Sequence, residues 1–297
     1  MKFGLNILNF GPYTDPESLL GWARFGEENG FDFALTSDHV TVTPDVAEQY
    51  PAPFYEPFTL LGWLAGMTSR IHLGTTVAIL PYRHPLQTAR MAANIDRYSG
   101  GRLIFGVGVG WAQQEYAALK VPFHRRGAIT NEYLEIIKRS WTEDVISYQG
   151  EFVSFEGVAT APRPARQPHP PIWVGGNSRA AIRRAAGFAD AWHPINAPLD
   201  WLRDRGLPGL RIAAENAGRR MPDFAPRTKL LLTDKPLRER VPGQGTLEQV
   251  RGDIERFAEL GATHLLFDTY EGTPDRLRPP AEDQQMLAAV AELFPGH

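Results

Sequence analysis

Two kinds of residue in this chain have chemical potential: a histidine at the end of a strand-like run, and glycines that leave backbone amides bare. His39 closes the segment Thr36-Ser37-Asp38-His39, directly after the apolar stretch 31–36. An imidazole titrates near neutral pH, and the adjoining Asp38 could orient or charge-tune it, which makes His39 the candidate acid or base. It also reads as a buried structural histidine. Gly106-Val107-Gly108-Val109-Gly110-Trp111 places glycine at every second position, with Glu115 a turn further on. Glycine lets a backbone approach a ligand where a Cβ would collide. Positive-φ turns can aim successive N–H groups at an anion or a ring carbonyl, although glycine in a strand equally marks a bend. Gly175-Gly176-Asn177-Ser178 opens a helical segment, where free amides suit a phosphate; an ordinary capped turn has the same sequence. Trp111 can stack on a planar ring or fill a core. Glu115 can touch a ligand or simply sit in the first turn of a helix.

Other chemistries find no support. The chain has no cysteine, so disulfides, thiolate metal sites and cysteine nucleophiles are excluded. His72, His84, His124 and His193 are scattered, without a metal-binding spacing. No Gly-x-Ser-x-Gly elbow occurs. Gly106-x-Gly108 meets Trp111 where a dinucleotide fingerprint needs a small residue, and it follows the fourth strand instead of the first. Arg83 and Arg126 follow strand ends and are the better anion-binding candidates among the arginines. The net charge of −3 gives no field that would draw in nucleic acid or an anionic membrane. With 43% hydrophobic and 22% charged residues, the composition is that of an ordinary globular protein. No signal-peptide pattern and no run of about 18 apolar residues appears, so a soluble cytoplasmic protein is expected.

Positioning these groups is the work of alternating elements. Strands are expected at 3–8, 31–36, 71–79, 103–107, 171–174, 189–192, 228–232 and 263–267. Helices are expected at 16–29, 58–67, 85–98, 128–141, 178–187, 199–217, 246–260 and 284–294. Strict alternation implies a parallel sheet, and eight units at this length favour a closed α/β TIM barrel, (β/α)8, forming a single domain over 1–297. A hairpin-like stretch at 147–155 and the proline-rich 161–171 interrupt the rhythm and read as an insertion between helix 4 and strand 5. The irregular 41–57, with Tyr50, Phe54 and Tyr55, follows the second strand; it reads equally as a substrate wall or lid at the barrel mouth and as a packing arm or dimer contact.

Taken in order, Thr36-Ser37-Asp38-His39, Leu73-Gly74-Thr75-Thr76-Val77, Ser99-Gly100-Gly101-Arg102, Gly106 to Trp111 with Glu115, and Trp173-Val174-Gly175-Gly176-Asn177-Ser178 resemble the luciferase-like monooxygenase superfamily. Val121-Pro122-Phe123, Arg126-Gly127, Glu132-Tyr133-Leu134 and Asp190-Ala191-Trp192-His193-Pro194 narrow the resemblance to the branch that uses the deazaflavin F420. It covers nearly the whole chain. The resemblance implies a barrel, usually a homodimer, with the ring at the mouth and a cis non-prolyl peptide at Thr76-Val77. His39 would be the catalytic residue near the ring. The residues expected to bind cofactor are Asp38, Thr76, Val77, Gly106, Gly108, Val109, Gly110, Trp111, Glu115, Gly175, Gly176, Asn177 and Ser178. The expected activity is hydride transfer between F420 and a small apolar or planar organic substrate. The alternatives are an FMN-dependent monooxygenase that activates O2, which F420 does poorly because its ring carries carbon at position five, and a non-catalytic flavin- or ligand-binding barrel. F420-dependent sugar dehydrogenases of this superfamily carry a proton-transferring glutamate where this chain has Trp111, which argues against sugar oxidation here.

Overall fold

A computed structural model describes residues 1–294; the last three positions of the expected domain lie outside the described residues. The strands, in chain order, are β1 (Lys2–Ile7), β2 (Phe33–Thr36), β3 (His72–Thr75), β4 (Ala78–Ile79), β5 (Leu103–Gly108), β6 (Val145–Gln149), β7 (Ser154–Ala159), β8 (Ile172–Gly175), β9 (Ala191–His193), β10 (Asp223–Phe224), β11 (Arg227–Lys229), β12 (Leu231–Leu232), β13 (Gln244–Gly245) and β14 (His264–Asp268). One large sheet runs β10-β9-β8-β5-β3-β2-β1-β14-β11, with β4 beside β5. Its strand pairs are parallel, as the alternation with helices requires. The sheet curls until its ends meet along 223–229: Ala225 N–H donates to Trp192 O and Asn196 N–H to Arg227 O. The result is a TIM-barrel-like α/β fold. The β6–β7 hairpin stands apart from the large sheet, following the helix Arg126–Thr142.

Side-chain alternation divides each strand between two environments. Outward residues such as Leu5, Ala34, Leu73, Phe105 and Val174 join the main core against the helices. Inward residues Phe33, Leu35, Ile104, Trp173, Ala191, Ala225 and Leu266 form a separate cluster inside the curl. The period-two pattern then places Asn6, Ser37, Gly175, His193, Arg227 and Asp268 above that cluster, toward the strand C-termini. Local signals fix the helix starts. Asp15 with Ser18 and Thr246 with Gln249 each form a capping box.

Three expected elements are broken. The strand expected at 71–79 divides into β3 and β4, because the Thr76-Val77 peptide is cis and turns the chain between them. The strand expected at 228–232 divides into β11 and β12, which pairs with β13 instead of the large sheet. The helix expected at 199–217 is interrupted by a π-helical turn, Leu202–Gly206, before Leu207–Asn216. A Cβ on Gly206 would lie 2.8 Å from both Trp192 and Trp201, so the turn seats the chain against two large rings.

Candidate active site

His39 lies just past the end of β2 and is 5% exposed. Its Nδ1 donates to Glu115 Oε2 at 2.6 Å. The other carboxylate oxygen, Oε1, accepts the N–H groups of Val40 at 2.6 Å and Thr41 at 3.1 Å. Glu115 is fully buried, and burial alone would raise its pKa. The His39 hydrogen bond and charge, with the Thr41 amide, outweigh burial and hold the carboxyl below its ordinary value. Glu115 is thus the orienting partner of His39, the part that sequence adjacency had given to Asp38. It fixes Nδ1 as the donor and leaves Nε2 as the nitrogen available for chemistry.

Asp38 has other obligations. Its carboxylate accepts Ile79 N–H at 2.8 Å and both terminal nitrogens of Arg83, at 2.7 and 2.8 Å. Arg83 also binds Glu56 at 2.9 Å, so two carboxylates already neutralise this candidate anion ligand. Arg126 donates to Phe123 O and lies over the Phe123 ring.

Aromatic rings surround the His39 imidazole. The centroids of Tyr50 and Phe54 are each 5.3 Å away, and that of Trp111 is 5.7 Å away and edge-on. Tyr50 and Phe54 come from the irregular 41–57 segment. Phe10 and Tyr270 extend the cluster behind them. Trp111, at 39% exposure, is the accessible member.

Thr76 and Val77, joined by the cis peptide, lie between the glycine run and a polar network. A Cβ on Gly106 would collide with Thr75 O, one on Gly108 with Val77 Cγ2, and one on Gly175 would lie 2.8 Å from Val77 Cγ1. These three glycines make room for the 75–77 backbone and the Val77 side chain. Gly110 and Gly176 instead have φ of +66° and +106°, the left-handed turns that glycine favours. Val109 O accepts from the Tyr116 hydroxyl. Asn177 is tied to the backbone of Ile195 by both ends of its amide, and Ser178 caps the helix Arg179–Phe188.

Arg227 and Asp268, in the polar network below Thr76, were not among the residues expected from sequence. Arg227, 5% exposed, donates to Thr76 O at 2.8 Å and to Thr76 Oγ1 at 3.1 Å. It also forms an ion pair with Asp268 at 2.6 Å, and Asp268 accepts from Asn6 at 2.9 Å. His193 Nδ1 donates to Ala225 O, so its Nε2 accepts from the Thr76 hydroxyl at 2.9 Å. Complete burial pushes the His193 pKa down to about 3, which keeps the ring neutral and this direction of donation intact. The missed signal was polar residues at inward strand positions: Arg227 and Asp268 each fall one residue outside the expected strands. Two buried oxygens at inward positions near the strand C-termini, Asn6 Oδ1 and Ser37 Oγ, have no hydrogen-bond partner. Unspent polar atoms of this kind, beside an aromatic wall, fit a site that receives a planar ligand with polar edges.

The family model for luciferase-like monooxygenases matches residues 1–236, and the chain belongs to that family. It is 32% identical over 290 residues to an uncharacterized Mycobacterium tuberculosis protein, covering 93% of each. It is 30% identical over 177 residues to an FMNH2-dependent dimethylsulfone monooxygenase from Pseudomonas putida, covering 59% of this chain and 47% of the other. Among solved structures it resembles the monooxygenase RslO1 from Streptomyces bottropensis, with a TM-score of 0.81, 23% identity and coverage of 99% and 98%. The F420-dependent tetrahydromethanopterin reductase from Methanopyrus kandleri gives a TM-score of 0.77 at 18% identity, with coverage of 99% and 98%. The protein is therefore a luciferase-like oxidoreductase. No helix among the described residues is long and apolar enough to cross a membrane.

Proposed function

We propose that the protein transfers a hydride between F420 and a small apolar or planar organic substrate, with His39 as its catalytic residue. The observation that carries this reading is the His39–Glu115 pair. It fixes one imidazole nitrogen and leaves the other inside an aromatic enclosure, where it can give or take the proton that accompanies hydride transfer. Reduced F420, when bound, supplies a hydride to an electron-poor carbon, and the chain supplies orientation and electrostatics. Thr76, Val77, Val109 and Gly110 would hold the ring, with Gly106, Gly108 and Gly175 acting through the packing of 75–77. Gly176, Asn177 and Ser178 would hold the phosphate at the start of the helix Arg179–Phe188. Trp111 and the 41–57 aromatics would face the substrate and exclude water. Asp38 and Glu115 would act as positioning residues. We read the chain as one functional unit, with the hairpin and proline-rich segment as an insertion after the fourth barrel helix, and a homodimer as its assembly.

A groove of about 990 Å³ beyond Asn177 favours F420 over FMN. Arg179, Arg183 and Arg205 line it, and none of the three has an ion-pair partner among the described residues. Arg179 opposes the dipole of the helix it begins, which suits a binding role better than a stabilising one. F420 carries a phosphodiester followed by carboxylates, whereas FMN ends at a single phosphate, so three free guanidinium groups match the longer anionic tail. The FMN reading draws its support from the dimethylsulfone monooxygenase relative. Replacing Arg179 and Arg205 together by Gln distinguishes the two. F420 affinity should fall by about tenfold or more while FMN affinity stays low and unchanged. An unchanged F420 affinity would count against the groove, and a loss of tight FMN binding would favour FMN.

A further inference from the structure

At the barrel end opposite His39, a cavity of about 380 Å³ opens toward the Phe33–Trp173 cluster. Side chains ordinarily fill this end of a barrel. Here the proline-rich segment that interrupts the sequence rhythm forms one wall. The buried Asp96 carboxylate accepts Arg166 N–H at 2.8 Å and Leu103 N–H at 3.3 Å, which pins that segment to the sheet and sets Arg166 at the opening. Two aromatic residues, Phe33 and Trp173, supply an apolar floor, and His264 meets both edge-on at 5.7 and 4.9 Å. His72 joins from β3 and Lys2 from β1.

The charges around this cavity are unequally committed. Three carboxylates lie on its rim. Asp32 accepts Phe3 N–H at 2.8 Å, Asp190 accepts Ile172 N–H at 2.8 Å beside His169, and Asp223 pairs with Arg220 at 3.2 Å. The Lys2 ammonium and the Arg166 guanidinium have no ion-pair partner among the described residues. Burial weighs most on the two imidazoles, and Lys2 is the leading charge on each. Burial, then Lys2, Arg166 and Arg102, lower the His72 pKa; burial, then Lys2, His72 and the Met1 amino group, bring that of His264 down to about 4. An anion in the cavity would satisfy both free cations and let the imidazoles accept protons.

We infer that this cavity is a second ligand site, separate from the mouth, for a small organic anion. Its carboxylate or phosphate would lie between Lys2 and Arg166, and its apolar body against Phe33 and Trp173. The test follows benzoate and inorganic phosphate titrations through histidine Cε1–H resonances, assigned with His72→Gln and His264→Gln. Benzoate should shift the His72 and His264 signals saturably, in the direction of protonation, and leave His39 unmoved. Phosphate, lacking the apolar body, should bind more weakly. Lys2→Gln with Arg166→Gln, both exposed in the native chain, should weaken benzoate by about tenfold or more without changing F420 binding at the mouth. The proposal is overturned by the absence of a saturable shift at His72 and His264, by equal affinity in the double variant, or by shifts confined to His39, which would mean water alone fills the cavity.

Discussion

Glu115 acts on the site through His39, and its own carboxylate is consumed by three hydrogen bonds. Glu115→Gln preserves size but offers an amide whose orientation no longer forces Nδ1 to donate. Reduced-F420 oxidation by a quinone acceptor should slow on the order of 10²-fold, with F420 affinity within a factor of about two and the pH profile shifted. Equal losses of rate and affinity would make Glu115 a cofactor ligand instead. At this scale the sequence was half legible. His39 and Glu115 stood out as residue types, but their pairing spans 76 positions and only the fold brings them together. Adjacency suggested Asp38 as the partner; in the folded chain Asp38 neutralises Arg83.

Between β5 and the turn at 76–77, packing determines what each glycine tolerates. Gly108→Ala drives a Cβ into the Val77 side chain and should cost about 1–3 kcal/mol. Val77→Ala in the same chain should recover part of that loss, because the colliding methyl is then gone. Gly62, inside the helix Pro57–Met67, has nothing near its would-be Cβ. Gly62→Ala should therefore stabilise by up to about 1 kcal/mol through helix propensity alone. Chemical denaturation of the three variants checks both, and a neutral Gly108→Ala would contradict the packing account. The alternating glycines were visible in the sequence as backbone that something approaches. In the fold the approaching groups at Gly106 and Gly108 are Thr75 and Val77 of the same chain. Strand and helix order was readable from periodicity and caps. Periodicity did not show the breaks in the third and seventh strands, because a cis peptide and a change of sheet partner leave hydrophobic alternation unaltered; the cis bond at Thr76-Val77, where the third strand breaks, was implied by the family resemblance instead.

For the whole molecule, buried neutral histidines set the response to acid. His193 has a folded pKa near 3 and His264 near 4, both below the ordinary 6.5. The unfolded chain takes up protons below pH 6.5 that the folded chain refuses, so this stability is complete above pH 6.5 and is lost as pH falls toward 4 and 3. Glu115, also lowered, adds a loss below its ordinary 4.5, whereas burial raises Asp283 to about 6 and lifts Asp96, so these two carboxyls gain stability as pH falls and oppose the histidines. His264→Gln should therefore flatten the melting-temperature profile between pH 6.5 and 4.5 relative to the wild-type chain; parallel profiles for the two would contradict it. The central claim is that this luciferase-like barrel is an F420 enzyme, and its most direct test is titration of the purified protein with F420 and with FMN, followed by cofactor fluorescence. F420 should bind saturably at about micromolar concentration, with FMN bound at least about tenfold more weakly. Micromolar FMN binding without F420 binding would contradict it.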